Sequence, residues 1–389
     1  MQINVLRVVS NLGVGGVQRR LLSLLPYLNR KKFHIYICSF KDGPLRRVLT
    51  DRGYKVFIIP RRFKGDPLCI IRLIHLIKSL KIHIVHTHTH KPNTTGRTAA
   101  CLAGLLISRG FTCSHPYRRG CTPVIIANEH NVDEWKGPVQ IFIDRFLANL
   151  TDRIIVVSRA VQRFYESLGI RREKFHLIYN GVEIEGFNKG EMREKKRKEL
   201  GIAEETCVIG TVGRLHPQKG HMFLIKAAEK LLKENSSVLF LIIGKGYLKA
   251  ELIKKVDSLK LNNYFLFLGD REDIPELFSS MDIFVLASLR EGFPNTVLEA
   301  MASSLPVVAT EVGGISEIVI PNETGFIVPP ANPSVLSHAL SILVNDRELR
   351  RKMGRAGRRR VENFSIETMA RETEQLYEEL IEKRKCLLH

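Results

Sequence analysis

Two runs of alternating apolar strands and amphipathic helices constrain this chain more than any other feature. The first opens at once: Ile3 to Val9 is a continuous apolar stretch of the kind buried on both faces of a parallel sheet, Ser10 to Gly16 is a glycine-rich turn, and Val17 to Leu28 carries its apolar residues at helical spacing. Strand His34 to Ser39, helix Pro44 to Arg52, strand Val56 to Ile59, helix Pro67 to Leu80, strand Ile84-Val85 and helix Thr94 to Leu106 follow. Strand Val124 to Ala127, helix Trp135 to Leu150 and strands Arg153 to Val157 and Phe175 to Ile178 close this run. A charged helix, Lys189 to Leu200, precedes a second run, with strands Val208 to Val212, Val238 to Ile243, Phe265 to Leu268, Ile283 to Ala287, Val307 to Ala309 and Gly325 to Val328. Strand, helix and strand in repetition predict parallel, doubly wound α/β sheets, whose ligands collect at the carboxyl ends of the strands. At 389 residues the chain is too long for one ordinary core. The reading is therefore a first domain over residues 1–185, a second over 186–364, and a terminal helix over 365–389.

Charge separates the halves. Residues 1–185 hold 30 Lys+Arg against 12 Asp+Glu, a net +18, which leaves 30 against 28, or +2, for residues 186–389 of a chain whose formal charge is +20. Such asymmetry predicts a polyanionic partner for the first half, either an anionic membrane surface with a lipid-linked acceptor or a nucleic acid. No basic run is interleaved with aromatics and no helix-in-groove motif is present, so nucleic acid is not the expected partner. An apolar fraction of 44% suffices for two cores, yet no run of about 18 uncharged apolar residues exists. The expectation is a cytoplasmic protein, peripheral on the inner face of the membrane.

The seven cysteines are dispersed, without a Cys-x-x-Cys pair, which suits reduced thiols. Cys113 and Cys121 bracket a basic stretch that reads as a polar loop, since two thiols and His115 do not complete a tetrahedral zinc site. His86, His88 and His90 alternate as if on one face of a strand. No carboxylate joins them in sequence, so the reading is a polar strand end and no metal site.

The chemistry gathers in the loops after strands. Gly15 and Gly16 let a backbone approach a phosphate or sugar at a helix N-terminus, without the Gly-x-Gly-x-x-Gly fingerprint of a nicotinamide cofactor. His130 follows strand Val124 to Ala127 at the sheet edge. After Val212 come Gly213, Arg214 and Lys219, two cations beside a glycine loop, suited to a departing diphosphate because Arg forks two oxygens and Lys acts as a point charge. Loops at Gly244 and at Gly269-Asp270-Arg271 suit a nucleotide base. Last comes Glu291-Gly292-Phe293-Pro294-Asn295-Thr296-Val297-Leu298-Glu299, in which Gly292 and Pro294 force an irregular loop before a helix capped by Asn295 or Thr296. Amides near Thr296 and Val297 form a phosphate site, Glu299 reaches a ribose hydroxyl or closes a capping box with Thr296, and Glu291 accepts from hexose hydroxyls.

This Glu, seven residues, Glu motif, together with the Gly15-Gly16 turn, His130, Ser158-Arg159, Asn180-Gly181-Val182-Glu183 and Arg214/Lys219 in that order, resembles the retaining glycosyltransferases of family 4 over nearly the whole chain. The resemblance implies the GT-B fold, two Rossmann-like domains facing a cleft, with the last helix crossing back to the first domain. It implies a nucleotide-diphosphate sugar as co-substrate, a glycan or lipid-linked acceptor bound by the first half, and neither metal nor cofactor. Gly15 and Gly16 then lie near the diphosphate, His130 contacts the transferred sugar, Arg214 and Lys219 hold the diphosphate, and backbone near Arg271 meets the base. Two features depart from the family: Glu183 stands where Asp is common, and the stretch from Cys113 to Cys121 is an insertion. A sugar-nucleotide 2-epimerase of related fold, or a basic nucleic-acid or membrane-binding module without transferase activity, are the alternatives. The paired glutamates and both cations favour transfer.

Overall fold

The computed structural model describes residues 2–13, 15–108, 122–187, 192–235 and 237–386. The Cys113 to Cys121 stretch, with both its cysteines, lies outside the described residues, as do the first residues of the expected helix at Lys189. The chain forms two units: Met1–Asn180 with Ile366–His389, and Gly181–Ser365. The expected boundary after residue 185 thus falls five residues inside the second unit.

Unit 1 alternates β1 (Ile3–Val9), α1 (Gly16–Leu24), β2 (Phe33–Ser39), α2 (Leu45–Asp51), β3 (Lys55–Ile58), α3 (Pro67–Ser79), β4 (Ile84–His88), α4 (His90–Ser108), β5 (Val124–Glu129), α5 (Pro138–Asn149), β6 (Arg153–Val156), α6 (Arg159–Ser167) and β7 (Phe175–Leu177). The strands are rich in Val and Ile, whose branched side chains fill both faces of a covered sheet. Helix starts are locally encoded as well. Asp66 accepts from the amides of Leu68 and Cys69 ahead of Pro67, and Ser158 accepts from Val161. The parallel sheet has the order β3-β2-β1-β4-β5-β6-β7. One face packs on α1 and the chain's last helix, and the other on α3 and α4.

Unit 2 continues with α7 (Met192–Glu199), β8 (Cys207–Val212), α8 (His221–Leu231), β9 (Val238–Ile243), α9 (Lys249–Ser258), β10 (Phe265–Gly269), α10 (Ile274–Ser280), β11 (Ile283–Leu286), α11 (Asn295–Ala302), β12 (Val307–Thr310), α12 (Ile315–Ile318), β13 (Gly325–Val328), α13 (Pro333–Asn345) and α14 (Arg347–Val361). Its sheet is also parallel, in the order β10-β9-β8-β11-β12-β13. The last helix, α15 (Ile366–Cys386), belongs to unit 1, where Ile366, Met369, Leu376, Tyr377 and Leu380 complete the core over β1 and β2.

Strand order reverses between β1 and β4 in unit 1 and between β8 and β11 in unit 2. At such a switch point neighbouring loops leave in opposite directions and open a crevice at the carboxyl edge. The glycine turn before α1 and the histidines of β4 therefore share one switch point, and the loops after Val212 and Leu286 share the other.

Three expectations give way here. The histidine run does not share one strand face: His86 and His88 end β4, whereas His90 starts α4. Thr89 between them has φ +72°, which breaks the alternation. Trp135 precedes α5, which begins only at Pro138, because proline is tolerated at a first helical position and Gly137 supplies the extended cap. Finally, α11 is capped by Pro294, with no side-chain cap bond, so neither Asn295 nor Thr296 is the cap and the Thr296/Glu299 capping box does not form.

Candidate active site

In unit 2, β8 runs into Gly213-Arg214 and a turn of 3-10 helix, Pro217–Lys219. Lys219 Nζ donates to Glu291 Oε1 at 2.6 Å, and Ser288 Oγ donates to the same oxygen at 2.6 Å. Backbone ties run alongside: Leu289 N donates to the Gln218 carbonyl at 2.7 Å, and Gln218 Nε2 donates to the Arg290 carbonyl at 2.9 Å. The buried Glu291 carboxylate thus pins the loop after β11 to the loop after β8. Two glycines let the backbones close in around it. Gly244 has φ +135°, and a Cβ there would lie 1.9 Å from the Gly213 carbonyl oxygen. Gly313 has φ +56°, and its Cβ would lie 2.0 Å from the Glu291 carbonyl oxygen. Arg214 is exposed and makes no ion pair among the described residues. Its charge is available to a ligand, whereas that of Lys219 is already balanced.

The rest of the motif is mixed. Phe293 is buried against the ring of Phe364, 5.5 Å between centroids, and Val297 is fully buried, so both bear on a ligand only through backbone. The Val297 amide, expected to face a phosphate, donates to the Pro294 carbonyl at 3.2 Å, because Pro294 at the cap supplies a nearer acceptor. Thr296 Oγ1 is buried without a partner among the described residues. Glu299 stands half-buried one turn along α11. The Arg271 guanidinium is held by Asp273, at 2.6 and 2.7 Å, and by Glu199 at 3.3 Å. Those bonds push the Asp273 carboxyl well below its ordinary range, so Arg271 offers a ligand its backbone rather than its charge.

In unit 1, His130 follows the end of β5. Its Nδ1 lies 3.0 Å from Arg20 NH1, and that guanidinium nitrogen also donates to Asn128 Oδ1 at 3.3 Å. A guanidinium only donates, so Nδ1 is the acceptor and the ring proton sits on Nε2. Burial first, and then the charges of Arg20 and Arg7, hold His130 well below the usual imidazole range. His130 is therefore a neutral donor at Nε2. Its neighbour Glu129 is otherwise engaged: it accepts from Asn93 Nδ2 at 2.7 Å and from the Tyr165 hydroxyl at 3.0 Å, and burial raises its pKa. Gly15 is the extended cap of α1 and Gly16 its first residue, where an added Cβ meets nothing within 4 Å.

Two family profiles match this chain: one described as Glycosyltransferase Family 4 over residues 14–185, and one described as Glycosyl transferases group 1 over residues 192–360. The chain belongs to the family 4 glycosyltransferases. A UDP-Gal:alpha-D-GlcNAc-diphosphoundecaprenol alpha-1,3-galactosyltransferase of Escherichia coli is 29% identical, covering 95% of each chain. The capsular polysaccharide biosynthesis glycosyltransferase CapM of Staphylococcus aureus is 27% identical, over 91% of this chain and 92% of its own. Among solved structures, HepE of Anabaena in complex with UDP superposes with a TM-score of 0.83 at 23% identity, over 97% of this chain and all of that one. The fold is GT-B, and the protein is a glycosyltransferase.

Several residues that build the glycosyltransferase's two loop clusters escaped sequence reading. Ser288 and Gln218 are ordinary polar residues in loops. Arg20 sits among the apolar positions of α1, and Tyr377 is 370 residues from the arginine it touches. Arg7 alone carried a signal, a single charge inside the apolar stretch Ile3 to Val9.

Proposed function

We propose that the protein moves a hexose from a UDP-activated donor to a lipid-linked glycan of the cell envelope, with retention of anomeric configuration and without a metal ion. The observation that carries the reading is the Lys219–Glu291–Ser288 bridge at the unit 2 switch point, beside exposed Arg214 and the start of α11. That cluster suits a donor's diphosphate and sugar hydroxyls together. The acceptor oxygen attacks C1 from the face that the leaving group departs, the C1–O bond to the β-phosphate breaks, and the acceptor's proton passes to the departing phosphate oxygen. Arg214 takes up the charge that grows there, for which one such contact is worth about 3 kcal/mol of barrier. His130, a neutral N–H donor, suits a hydroxyl of the transferred sugar. The uridine nucleotide is supported by the E. coli relative's name and the UDP held by the Anabaena structure.

Attachment to an anionic membrane surface is supported by the charge of residues 1–185 and by α5. Val139, Phe142 and Phe146 of that helix are 58 to 71% exposed, at spacings of three and four that place them on one helical face, with Trp135 also exposed just ahead of it. Among the described residues no helix is long and apolar enough to cross a membrane.

The test is transfer of labelled sugar from UDP-galactose, UDP-glucose and their N-acetyl forms to a diphosphopolyprenyl-linked N-acetylhexosamine, in EDTA, with the new linkage read by NMR. An α-linkage from an α-donor, undiminished by EDTA, is expected; a β-linkage overturns retention, and no product from any UDP-sugar overturns the donor. Sedimentation with phosphatidylglycerol vesicles should fall at least several-fold in Phe142→Ser/Phe146→Ser. Equal sedimentation of variant and parent removes α5 from the contact.

A further inference from the structure

The side chains behind His130 form a cluster that sugar transfer does not use. Arg7 lies in the middle of β1, 1% exposed, where alternation turns it toward α15. Its NH2 donates to the Tyr377 hydroxyl at 3.0 Å, and that oxygen lies 2.6 Å from His86 Nδ1. Since the guanidinium is only a donor, the hydroxyl accepts from Arg7 and passes its own proton toward His86 Nδ1, its other hydrogen-bonding partner. His86 must then carry its ring proton on Nε2. The same logic fixed His130 through Arg20. Two arginines thus polarise two chains of hydrogen bonds in one sense, each ending on an imidazole N–H. His88 stacks between the two rings, with centroids 4.2 Å from His86 and 5.7 Å from His130.

Arg7, Arg20, His86, His88, Asn128 and His130 all line one cavity within unit 1, which has room for a single species about the size of a water molecule. Among the described residues, Arg7 Nε, His86 Nε2, His88 Nε2 and His130 Nε2 are buried there without partners. Among the described residues no carboxylate lines the cavity, and Glu129, the nearest acid in sequence, is committed to Asn93 and Tyr165. Two guanidinium charges therefore share a buried wall with donors and without a counter-charge. Burial and the proximity of Arg7 push the Arg20 guanidinium down to about 9. A buried charge is ordinarily paired, and a buried donor ordinarily finds an acceptor.

We propose that this cavity is a binding site for a small anion, a free halide or a single oxygen of a phosphate group, held by Arg7 Nε–H and His86 Nε2–H. His130 is the least buried of the polar lining residues. The bound charge offsets Arg7 and Arg20 and fixes the hydrogen-bond sense that keeps His130 a donor. This site stands whether or not the donor is a UDP-sugar.

The experiment uses the full chain exchanged into sodium gluconate, which is neither a halide nor a phosphate. Sodium chloride or sodium phosphate then replaces gluconate at constant ionic strength, and both the melting temperature and the 35Cl NMR line width are followed. A saturating rise is expected, roughly 5 °C once the anion is about 100 times its Kd. Saturable chloride broadening that phosphate does not displace assigns a free halide; displacement by millimolar phosphate assigns the oxyanion. Arg7→Met should lose the rise. Because that variant alters a buried charge, His86→Phe provides a second reading: it keeps the ring that stacks on His88 while deleting the Nε2–H, and it too should lose the rise. Identical melting in chloride, phosphate and gluconate overturns the proposal, since water then satisfies the donors. A saturable rise that persists in both variants overturns it as well, because the anion then binds elsewhere.

Discussion

Each unit places its polar residues at the switch point of a parallel sheet, yet the two solve the problem of buried charge in opposite ways. In unit 2 the Lys219 cation is matched by Glu291, and the surrounding backbones are packed so closely that Gly244 and Gly313 leave no space for a side chain. At the unit 1 switch point Arg7 and Arg20 are matched, among the described residues, only by neutral acceptors: Tyr377, Asn128, His130 and the Met369 sulfur. The first arrangement is held by a matched ion pair and close backbone packing. The second is set by the polarity of side chains and depends on what protons and ions are present. A site for a negatively charged leaving group benefits from the first kind, because donors fixed in advance need no reorganisation when charge develops.

Acid gives the largest expected difference between the units. His86, His88 and His130 are held well below their ordinary pKa, chiefly by burial and then by neighbouring positive charge from the arginines and from one another. In unit 2 His221 is pushed down to about 4, by burial and then by Lys219. These rings bind protons more readily unfolded than folded, so their contribution is complete above the unfolded value near 6.5 and is lost as pH falls below it. Each contributes a slope of up to about 1.4 kcal/mol per pH unit, and His90 and His176 of unit 1 are lowered too, so unit 1 carries the steeper slope. Hydrogen exchange read by mass spectrometry between pH 7.5 and 5.5 should show β1, β4 and α15 opening before β8 and β11. Equal acceleration in both units would break the contrast, and saturating chloride or phosphate should reduce it.

The unit 2 bridge predicts the next largest effect, and it is kinetic. Glu291→Ala leaves the Lys219 ammonium and Ser288 hydroxyl without their shared acceptor and frees the loop after β11 from the loop after β8. A fall of about 100- to 1,000-fold in kcat/KM is expected, equivalent to about 3 to 4 kcal/mol of transition-state stabilisation. Glu291→Gln retains an oxygen in the same place, so it should preserve the melting temperature while recovering only part of the rate. If Gln restores the rate fully, the carboxylate matters for holding the loops and its charge plays no part in transfer.

Much of this arrangement was legible in the sequence, for reasons that also explain what was not. Every strand of both sheets was signalled, because a strand covered on both faces is a short uninterrupted apolar run, as in Val238–Ile243. Glycines that must approach another backbone, such as Gly244, are equally visible because no other residue type serves. The start of α11 was misjudged because Asn295 and Thr296 are good caps in isolation, and only the backbone angles at Pro294 decide where the helix begins. The histidine run misled for a related reason, since an alternating pattern carries no sign of the chain reversal at Thr89. The polar cluster around Arg7 was out of reach. Its hydrogen bonds join β1, α1, β4 and α15, and no local pattern encodes contacts made across 370 residues.

The smallest effect sharpens the comparison most, because it concerns two arginines of opposite standing. Arg214 is exposed and unpaired with any carboxylate among the described residues, whereas Arg20 is buried and bonded on three sides. Arg214→Met removes a charge from solvent, where its loss changes stability by about 0.5 kcal/mol or less. It also removes a fork of donors from the proposed diphosphate site, which should weaken UDP binding about tenfold, or about 1.4 kcal/mol, by calorimetry. Arg20→Met should do the reverse, lowering the melting temperature by several degrees while leaving UDP affinity within about twofold, because Arg20 belongs to unit 1 and the proposed diphosphate site to unit 2. If instead Arg214→Met costs stability and leaves UDP affinity unchanged, the loop after β8 is a structural brace, and the diphosphate must be sought elsewhere on the unit 2 edge.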